Sequence, residues 1–480
     1  MSGSFFHGAR TFESGTGILT PLLMETSVPV VVGTAPVHKI AEGYTGAVNT
    51  AKLCFSYAES VEYFGYDKDW SKYTLSEMIH SQFQVYAVAP LLMINVFDPA
   101  VHRTTVDAET ATFNAKGTAV LVNDGLLADP VVKSVDSATT YVKGTDYDVD
   151  KIDGVISRIA TGSIPGGGTV SVSYVYGDPT LVTADDIIGG VDAGTNVRTG
   201  FALIDNCYTK FRIVPGMIAT PGWHQNDVIT VALAKASSIN TVFKCYVVAD
   251  IPDKVVTKYS DAVAYKNDNN LVDPELILCY GTLGLSDKRY RQSTQFCSLT
   301  HSITALNQGI PHESPSNKNY KMDSMYINDK DVSLELTEAN YLNSNGIVTA
   351  LNFENGWTCW GNQTSAYPGS GDVKDYQIVG RQMFLWEQTN LIRRFWKDVD
   401  KPLTKRLVTR VLDTENRKLN GLTSAGKILG GRIEFTSERN PVTSLMSGAM
   451  LFKVWMSFAS AAGDIAFDIE YDPAYTQSLF

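Results

Sequence analysis

The chain has 480 residues and a net charge of −11 at pH 7, with 44% hydrophobic and 19% charged residues. This length favours two to four domains, and the composition is typical of globular proteins and argues against long disordered segments. The acidic balance, with a pI near 5.2, argues against general nucleic-acid binding, because neutralising phosphates needs a broad basic surface.

The N-terminus, the apolar windows and the cysteines indicate where the chain is made. Residues 1–20 lack a basic stretch followed by an apolar run, so no secretion signal is predicted. The apolar windows are too short or too interrupted to cross a bilayer, so no membrane insertion is expected. The six cysteines are scattered without a CxxC pair, which is typical of buried, reduced thiols. We therefore expect a soluble protein made in the cytoplasm.

Residues 1–27 and 28–98 differ in composition and in the pattern of apolar residues. The first range is rich in Gly, Ser and Thr, and we predict an extended N-terminal arm. The second is predicted to be the first part of an α/β core, because its patterns run strand, helix, helix, strand. A buried strand, a capped helix, an amphipathic helix and a second buried strand are predicted at Val28–Gly33, Ser56–Phe64, Thr74–Tyr86 and Pro90–Phe97.

Residues 99–180 carry short alternating runs bounded by turn residues. Several short strands at a spacing of about 8 to 12 residues are typical of an all-β unit. Asp and Glu outnumber Lys and Arg in this range, which suits a solvated outer domain. The runs are Ala119–Val122, Thr140–Val142, Asp146–Asp150, Gly154–Ile159 and Thr169–Tyr176.

The α/β pattern returns after residue 180. We assign 181–350 to a middle α/β domain, 351–462 to a C-terminal core domain and 463–480 to a C-terminal strand arm. Strands are predicted at Thr241–Asp250, Leu276–Tyr280, Gly346–Ala350 and Trp357–Gly361. The fold class predicted is α+β and multi-domain, with a discontinuous α/β core, an all-β insert and extended terminal arms.

A basic segment lies near the C-terminus. Residues 381–439 carry 13 Lys and Arg against 7 Asp and Glu, a net charge of +6, so the remainder of the chain is about −17. Such asymmetry favours one basic face for an acidic partner. A helix is predicted over Tyr376–Val399, with an alternative in which this face is solvated and pairs internally, for example Glu387 with Arg394. The basic candidates are Arg393, Arg394, Lys397, Lys405 and Arg406.

The chain ends on an alternating apolar run. Its apolar side chains share one face of a predicted strand and its acidic side chains share the other. A strand at a chain end can pair within its own subunit or add to the sheet of a neighbour. The candidates for inter-subunit pairing are Ile465, Phe467, Ile469 and Tyr471.

Three segments resemble active-site motifs without matching them. The segment Gly421–Ile428 nearly fits a phosphate-binding loop but ends in Ile428, where a hydroxyl should hold Mg²⁺, and follows a helix pattern. The Gly166–Gly168 run is typical of a hairpin turn. The aspartates at 146, 148, 150 and 153 lack the Gly and Glu of a calcium loop, and one solvated strand face is favoured. We predict no catalytic residue, no cofactor and no metal.

Several segments, in this order along the chain, resemble contractile phage tail sheath proteins. They cover both ends and the β insert, while residues 183–375 are placed by position alone. The segments are His7-Gly8, Thr26–Ala35, Ser60–Gly65, Gly144–Tyr147, Ser173–Tyr176, Leu407–Leu422, Gly426–Phe435, Asn440-Pro441 and Gly448.

The resemblance implies a structural subunit of a virion tail, assembled in the cytoplasm of the host bacterium. Such subunits polymerise as stacked, often hexameric rings around a tail tube, linked by N- and C-terminal arms, and contract to drive the tube through a cell envelope. Partners would be the tube, baseplate and tail terminator proteins, with residues 351–462 facing the tube. The alternatives are a metal-dependent or carbohydrate-acting enzyme with a β accessory domain, and another tail component such as a tube or baseplate protein.

Overall fold

The computed structural model describes residues 27–40 and 45–475. The predicted N-terminal arm therefore lies outside the described residues, except for Ser27 at its end. No helix within those two ranges is long and apolar enough to cross a membrane.

Strands and helices alternate along most of the described chain. The strands are β1 (Pro29–Gly33), β2 (Lys52–Cys54), β3 (Leu91–Asn95), β4 (Arg103–Thr112), β5 (Thr118–Val120), β6 (Val131–Ser134), β7 (Tyr147–Asp150), β8 (Val155–Arg158), β9 (Thr169–Gly177), β10 (Gly189–Val191), β11 (Arg198–Gly200), β12 (Met217–Ala219), β13 (Tyr246–Ile251), β14 (Leu276–Tyr280), β15 (Thr282–Leu285), β16 (Lys288–Arg291), β17 (Ser324–Ile327), β18 (Lys330–Asp331), β19 (Ile347–Asn352), β20 (Trp357–Trp360), β21 (Gly430–Glu434) and β22 (Lys453–Ser457). The helices are α1 (Tyr57–Phe64), α2 (Thr74–Ile79), α3 (Ala184–Ile188), α4 (Cys207–Phe211), α5 (Asn226–Ser237), α6 (Tyr259–Asp268), α7 (Gln292–Leu306), α8 (Leu336–Asn343), α9 (Val373–Tyr376), α10 (Ile378–Phe395), α11 (Lys405–Ser424) and α12 (Val442–Met446).

The core is an eight-stranded sheet in the order β2-β3-β1-β12-β13-β14-β19-β20. The inner strands run parallel and the two edge strands antiparallel. Helices cover the sheet, so β1, β3 and β14 are buried along their whole length, as their unbroken apolar runs predict. Residues 28–98 and 181–350 thus share one sheet, which confirms a discontinuous α/β core. The sheet continues past residue 350, because β19 spans that predicted boundary and pairs with β20.

The range 99–180 folds into two small antiparallel sheets, β4-β9-β6 and β5-β8-β7. They enclose a hydrophobic core of their own, separate from that of the large sheet. The two ends of this unit lie side by side, because Arg103 and Gly177 are paired in the β4–β9 ladder. The prediction of a strand at Thr140–Val142 is wrong. The run forms no strand, and its one pairing is an isolated bridge between Thr140 and Lys133.

The helix predicted over Thr74–Tyr86 is also partly wrong. Helix α2 ends at Ile79 and a π-helical turn follows over His80–Val85. Helix α2 is not amphipathic either, because every residue of it is buried. Helix α7 covers it, and Ser81 Oγ donates to Ser298 Oγ at 2.8 Å across the contact.

Candidate assembly surfaces

The basic segment forms two packed helices. The helix predicted over Tyr376–Val399 is the long α10 and a 3-10 turn at Trp396–Asp398; the short α9 precedes it, and α11 follows after a loop. Helix α11 begins where Thr404 Oγ1 accepts a hydrogen bond from Leu407 N at 3.2 Å. A third, smaller core joins α10, α11 and β22; its buried members are Val379, Met383, Trp386, Leu419, Leu422 and Ile428.

Two buried glutamates and two half-buried basic side chains form ion pairs between α10 and α11. Arg394 pairs with Glu415, and Lys418 pairs with Glu387. Glu415 and Glu387 are both buried. Burial raises the pKa of Glu387 to about 7, with Lys418 opposing the rise and Glu415 adding to it. Burial also lowers the pKa of Lys418. The four charges hold the two helices together, since removing one partner leaves a buried charge uncompensated.

These ion pairs show where two of the predicted basic residues lie. The alternative pairing of Glu387 with Arg394 is wrong, because each has a partner on α11 instead. Arg394 is therefore part of the α10–α11 contact. Arg393 is half-buried, and its guanidinium lies 6.0 Å from the ring centroid of Tyr208.

The other three basic candidates are exposed. Lys397 follows α10, and Lys405 and Arg406 begin α11. None of the three makes an ion pair with another residue of the described ranges. They are placed where a partner could reach them.

The outer face of α11 carries two arginines that the sequence reasoning missed. Arg410 and Arg417 are exposed and stand four and eleven residues after Arg406, on the same side of the helix. Arg410 pairs with Asp398, whose pKa is lowered by the hydrogen bond from Lys401 and by Arg410 itself. The apolar positions of α11 could have revealed this face, because Leu407, Val411 and Leu419 define its opposite side. We call Arg406, Arg410 and Arg417 the α11 basic stripe.

The C-terminal segment leaves the body after a small sheet. Strands β21 and β22 form a two-stranded antiparallel sheet, and neither has a second strand partner among the described residues. The strand predicted around Ile465–Tyr471 does not form among the described residues, where these seven residues have no regular secondary structure. The four candidate side chains are strongly exposed: Ile465 by 69%, Phe467 by 84%, Ile469 by 91% and Tyr471 by 78%.

A cleft of about 770 Å³ opens beside the carboxyl ends of β12, β13 and β14, where enzymes of this sheet type bind ligands. Several polar groups at this cleft form ion pairs and hydrogen bonds with one another. Arg291 pairs with Glu77, and Ser293 donates two hydrogen bonds to Asp250. Burial raises the pKa of Asp250 to about 7 in spite of those bonds. Thr282 Oγ1 donates to Asp253 at 3.0 Å.

The motif-like segments have structural roles. Residues 421–424 are the last turn of α11, and Lys427 Nζ lies 3.0 Å from His312 Nε2. Asp146 is buried, contrary to the expected solvated face, and accepts hydrogen bonds from Val142 N and Ser163 N at 2.8 and 2.7 Å. All six cysteines are free and buried, as predicted. Within residues 27–40 and 45–475, no three His, Cys, Asp or Glu side chains are grouped to hold a metal ion.

Comparison of sequences relates the chain to tail proteins of two phages. It is 26% identical to the tail sheath protein of Burkholderia phage BcepMu over 494 residues, which span 100% of this chain and 99% of that protein. It is 28% identical over 146 residues to the major tail sheath protein of Serratia phage KSP20, a match to 30% of this chain and 36% of that one. No family model matches the chain.

Comparison of structures also finds sheath proteins. The contracted helical sheath of the anti-feeding prophage matches with a TM-score of 0.57 at 13% identity, over 98% of this chain and 100% of that one. The contracted sheath complex of the extracellular contractile injection system PVC matches with a TM-score of 0.55 at 12% identity, over 99% and 100%. These likenesses show the fold, and together with the full-length relative they confirm the resemblance read from the sequence.

Proposed function

We propose that this chain, whose sequence and fold are those of the contractile tail sheath proteins, is the structural subunit of such a sheath. It polymerises as stacked rings around a tail tube and contracts to drive the tube through the envelope of a target cell. The observation that carries this proposal is the full-length match to a tail sheath protein combined with a fold match to sheaths in the contracted state. The role is structural rather than catalytic.

The partners follow from the same proposal. The subunit meets copies of itself first, and then the tube, baseplate and tail terminator proteins of a virion tail or a related injection machine, assembled in the bacterial cytoplasm. Rings of six are supported by the anti-feeding prophage baseplate, a sixfold symmetrised assembly whose matching chain has a TM-score of 0.57.

Two surfaces suit these contacts. The exposed apolar side chains of Ile465, Phe467 and Ile469 favour strand addition to a neighbouring subunit, and the β21–β22 sheet offers edges for a further strand. The α11 basic stripe, with Lys397 and Lys405, favours an acidic tube wall. Work during contraction comes from the lattice itself, as extended subunits pass to an arrangement with more buried contact.

Electron microscopy of the purified chain tests the proposal. We expect hollow tubes of stacked rings, formed without nucleotide or metal, because the polymer draws its stability from subunit contacts. An enzyme with a β accessory domain would stay as discrete particles at the same concentration. A baseplate protein would form closed rings that do not stack, and either result would overturn the proposal.

The β insert provides a second test. Its ends meet at Arg103 and Gly177 and its core is its own, so we propose a separable domain on the outside of the sheath. Replacing 103–177 by a short Gly/Ser linker should leave the core folded and the tubes intact, with a smaller outer diameter. Loss of cooperative thermal unfolding of the core after excision would contradict a modular insert.

A further inference from the structure

Helix α10 lies beneath the points where both terminal segments join the body. Phe458, the residue after β22, packs on the first half of the helix, with its ring centroid 6.4 Å from that of Phe384. Ser27, at the beginning of the described chain, shares a small cavity with Leu385, near the middle of the helix, and with Thr389 and Arg393 on its second half. Phe384 and Thr389 are roughly 8 Å apart along the helix axis at 1.5 Å per residue.

The Phe458 contact depends on a glycine. A Cβ at Gly380 would lie 2.4 Å from Cζ of Phe458 and 2.7 Å from its Cε1, so the ring occupies the space that any other residue would fill. Glycine is otherwise unfavourable inside a helix, by about 1 kcal/mol relative to alanine. The close approach of the ring gives this position a reason to be glycine.

Past Phe458 the chain stays near the same end of the helix for a few residues. Gly463 passes Asn362, whose carbonyl accepts a hydrogen bond from Ile378 N at 3.0 Å at the start of α10. From Ile465 to Tyr475 the residues are exposed. Phe458 is the last residue of the described C-terminal segment that packs against one of the hydrophobic cores.

We propose that Gly380 is a positioning residue for assembly: it seats Phe458 on α10 and so fixes the point and direction in which the C-terminal arm leaves the body. This inference rests on the proposed sheath function, because it concerns how an arm reaches the next subunit. We call Phe458 in its contact with α10 the root of the arm. A fixed root raises the effective concentration of the arm at the neighbouring sheet. A loose root lets the arm point in many directions and lowers that concentration.

Alanine at position 380 is the test, because it displaces the ring while improving the helix. Gly421→Ala in α11 is the matched control, since a Cβ there meets nothing within 4 Å. We expect Gly380→Ala to unfold at a temperature no lower than the unmodified chain, and to need a concentration on the order of tenfold higher to form tubes. Gly421→Ala should assemble normally. Phe458→Ala should reproduce the assembly defect, and the double variant should be no worse than Phe458→Ala, since both changes act through one contact.

A distance measurement in the monomer tests how firmly the base of the arm is held, independently of any effect on assembly. Spin labels at Phe467→Cys and Lys405→Cys are practicable because the six native cysteines are buried. In dilute monomer we expect a narrow distance distribution for the unmodified arm and for Gly421→Ala, and a broad one for Gly380→Ala. An unchanged distribution, or a broad one with normal assembly, would overturn the role of Gly380. If the unmodified chain forms no tubes, the sheath function itself fails, and the distances still report on the root.

Discussion

Removing residues 465–480 should leave a folded monomer that no longer polymerises. The described part of this segment adds no residue to any of the hydrophobic cores, so the free energy of unfolding should change by less than about 0.5 kcal/mol. About four ladder hydrogen bonds at about 1 kcal/mol each are lost at every junction between subunits, which lowers the association constant about a thousandfold. Thermal unfolding and electron microscopy of the same preparation measure both quantities.

The two faces of the segment supply a sharper control than deletion alone. Changing Ile465, Phe467 and Ile469 together to Ser should abolish tubes, because these side chains would enter apolar positions on the neighbour. Changing Asp468 and Glu470 to Ser on the other face should leave tubes intact. Long sheaths from the truncated chain, or equal effects from the two faces, would show that this arm does not join subunits.

The strands of the core were the most predictable elements. Unbroken apolar runs gave β1, β3 and β14, and the Ser56 cap of α1 was also read correctly, with its side chain accepting from Glu59 N. Their neighbours in the sheet were not predictable, since β1 pairs with β12 through contacts far apart in the chain. Periodicity reports which faces are apolar and says nothing about which strand covers them.

Helix α7 shows why the central region resisted prediction. Gln292, Gln295, Ser298 and His301 are fully or almost fully buried on it, so it has no polar face to mark a period. Its polar side chains instead bond across to the neighbouring π-helical turn, as when Gln295 Nε2 donates to Ser81 Oγ at 2.9 Å. The same turn explains the error over Thr74–Tyr86.

The residues that the basic segment exposes could not all be chosen from sequence, and its role as an assembly surface stays a prediction. Composition marks a basic segment, whereas the pairing of Arg394 with Glu415 depends on how α11 folds back on α10. Reversing Arg394 would therefore break a buried pair at a cost of about 3 to 5 kcal/mol and confuse assembly with stability. The stripe on α11 permits a cleaner experiment.

Reversing Arg406 and Arg417 to Glu should weaken assembly on an acidic tube while leaving the monomer as stable as before. Both side chains are exposed on α11, opposite its apolar face. Each surface ion pair contributes only about 0.2 to 1 kcal/mol, so losing two pairs weakens one subunit's contact with the tube by about 30-fold or less. Repetition along a sheath multiplies the loss, while each bond stays weak enough to break during contraction.

Salt dependence identifies this contact as electrostatic, because added salt screens exposed charges, with a Debye length of about 10 Å at 0.1 M that shortens as salt rises. Sheaths of the double variant on tubes of the same tail should dissociate at lower salt than unmodified sheaths, in sedimentation over a salt series. Lys116→Glu with Lys133→Glu in the β insert makes the same charge change away from α11 and should sediment normally. Equal sensitivity of the two variants would mean that net charge, and not the α11 basic stripe, governs binding to the tube. Greater resistance of the α11 variant would place the tube on another face of the subunit.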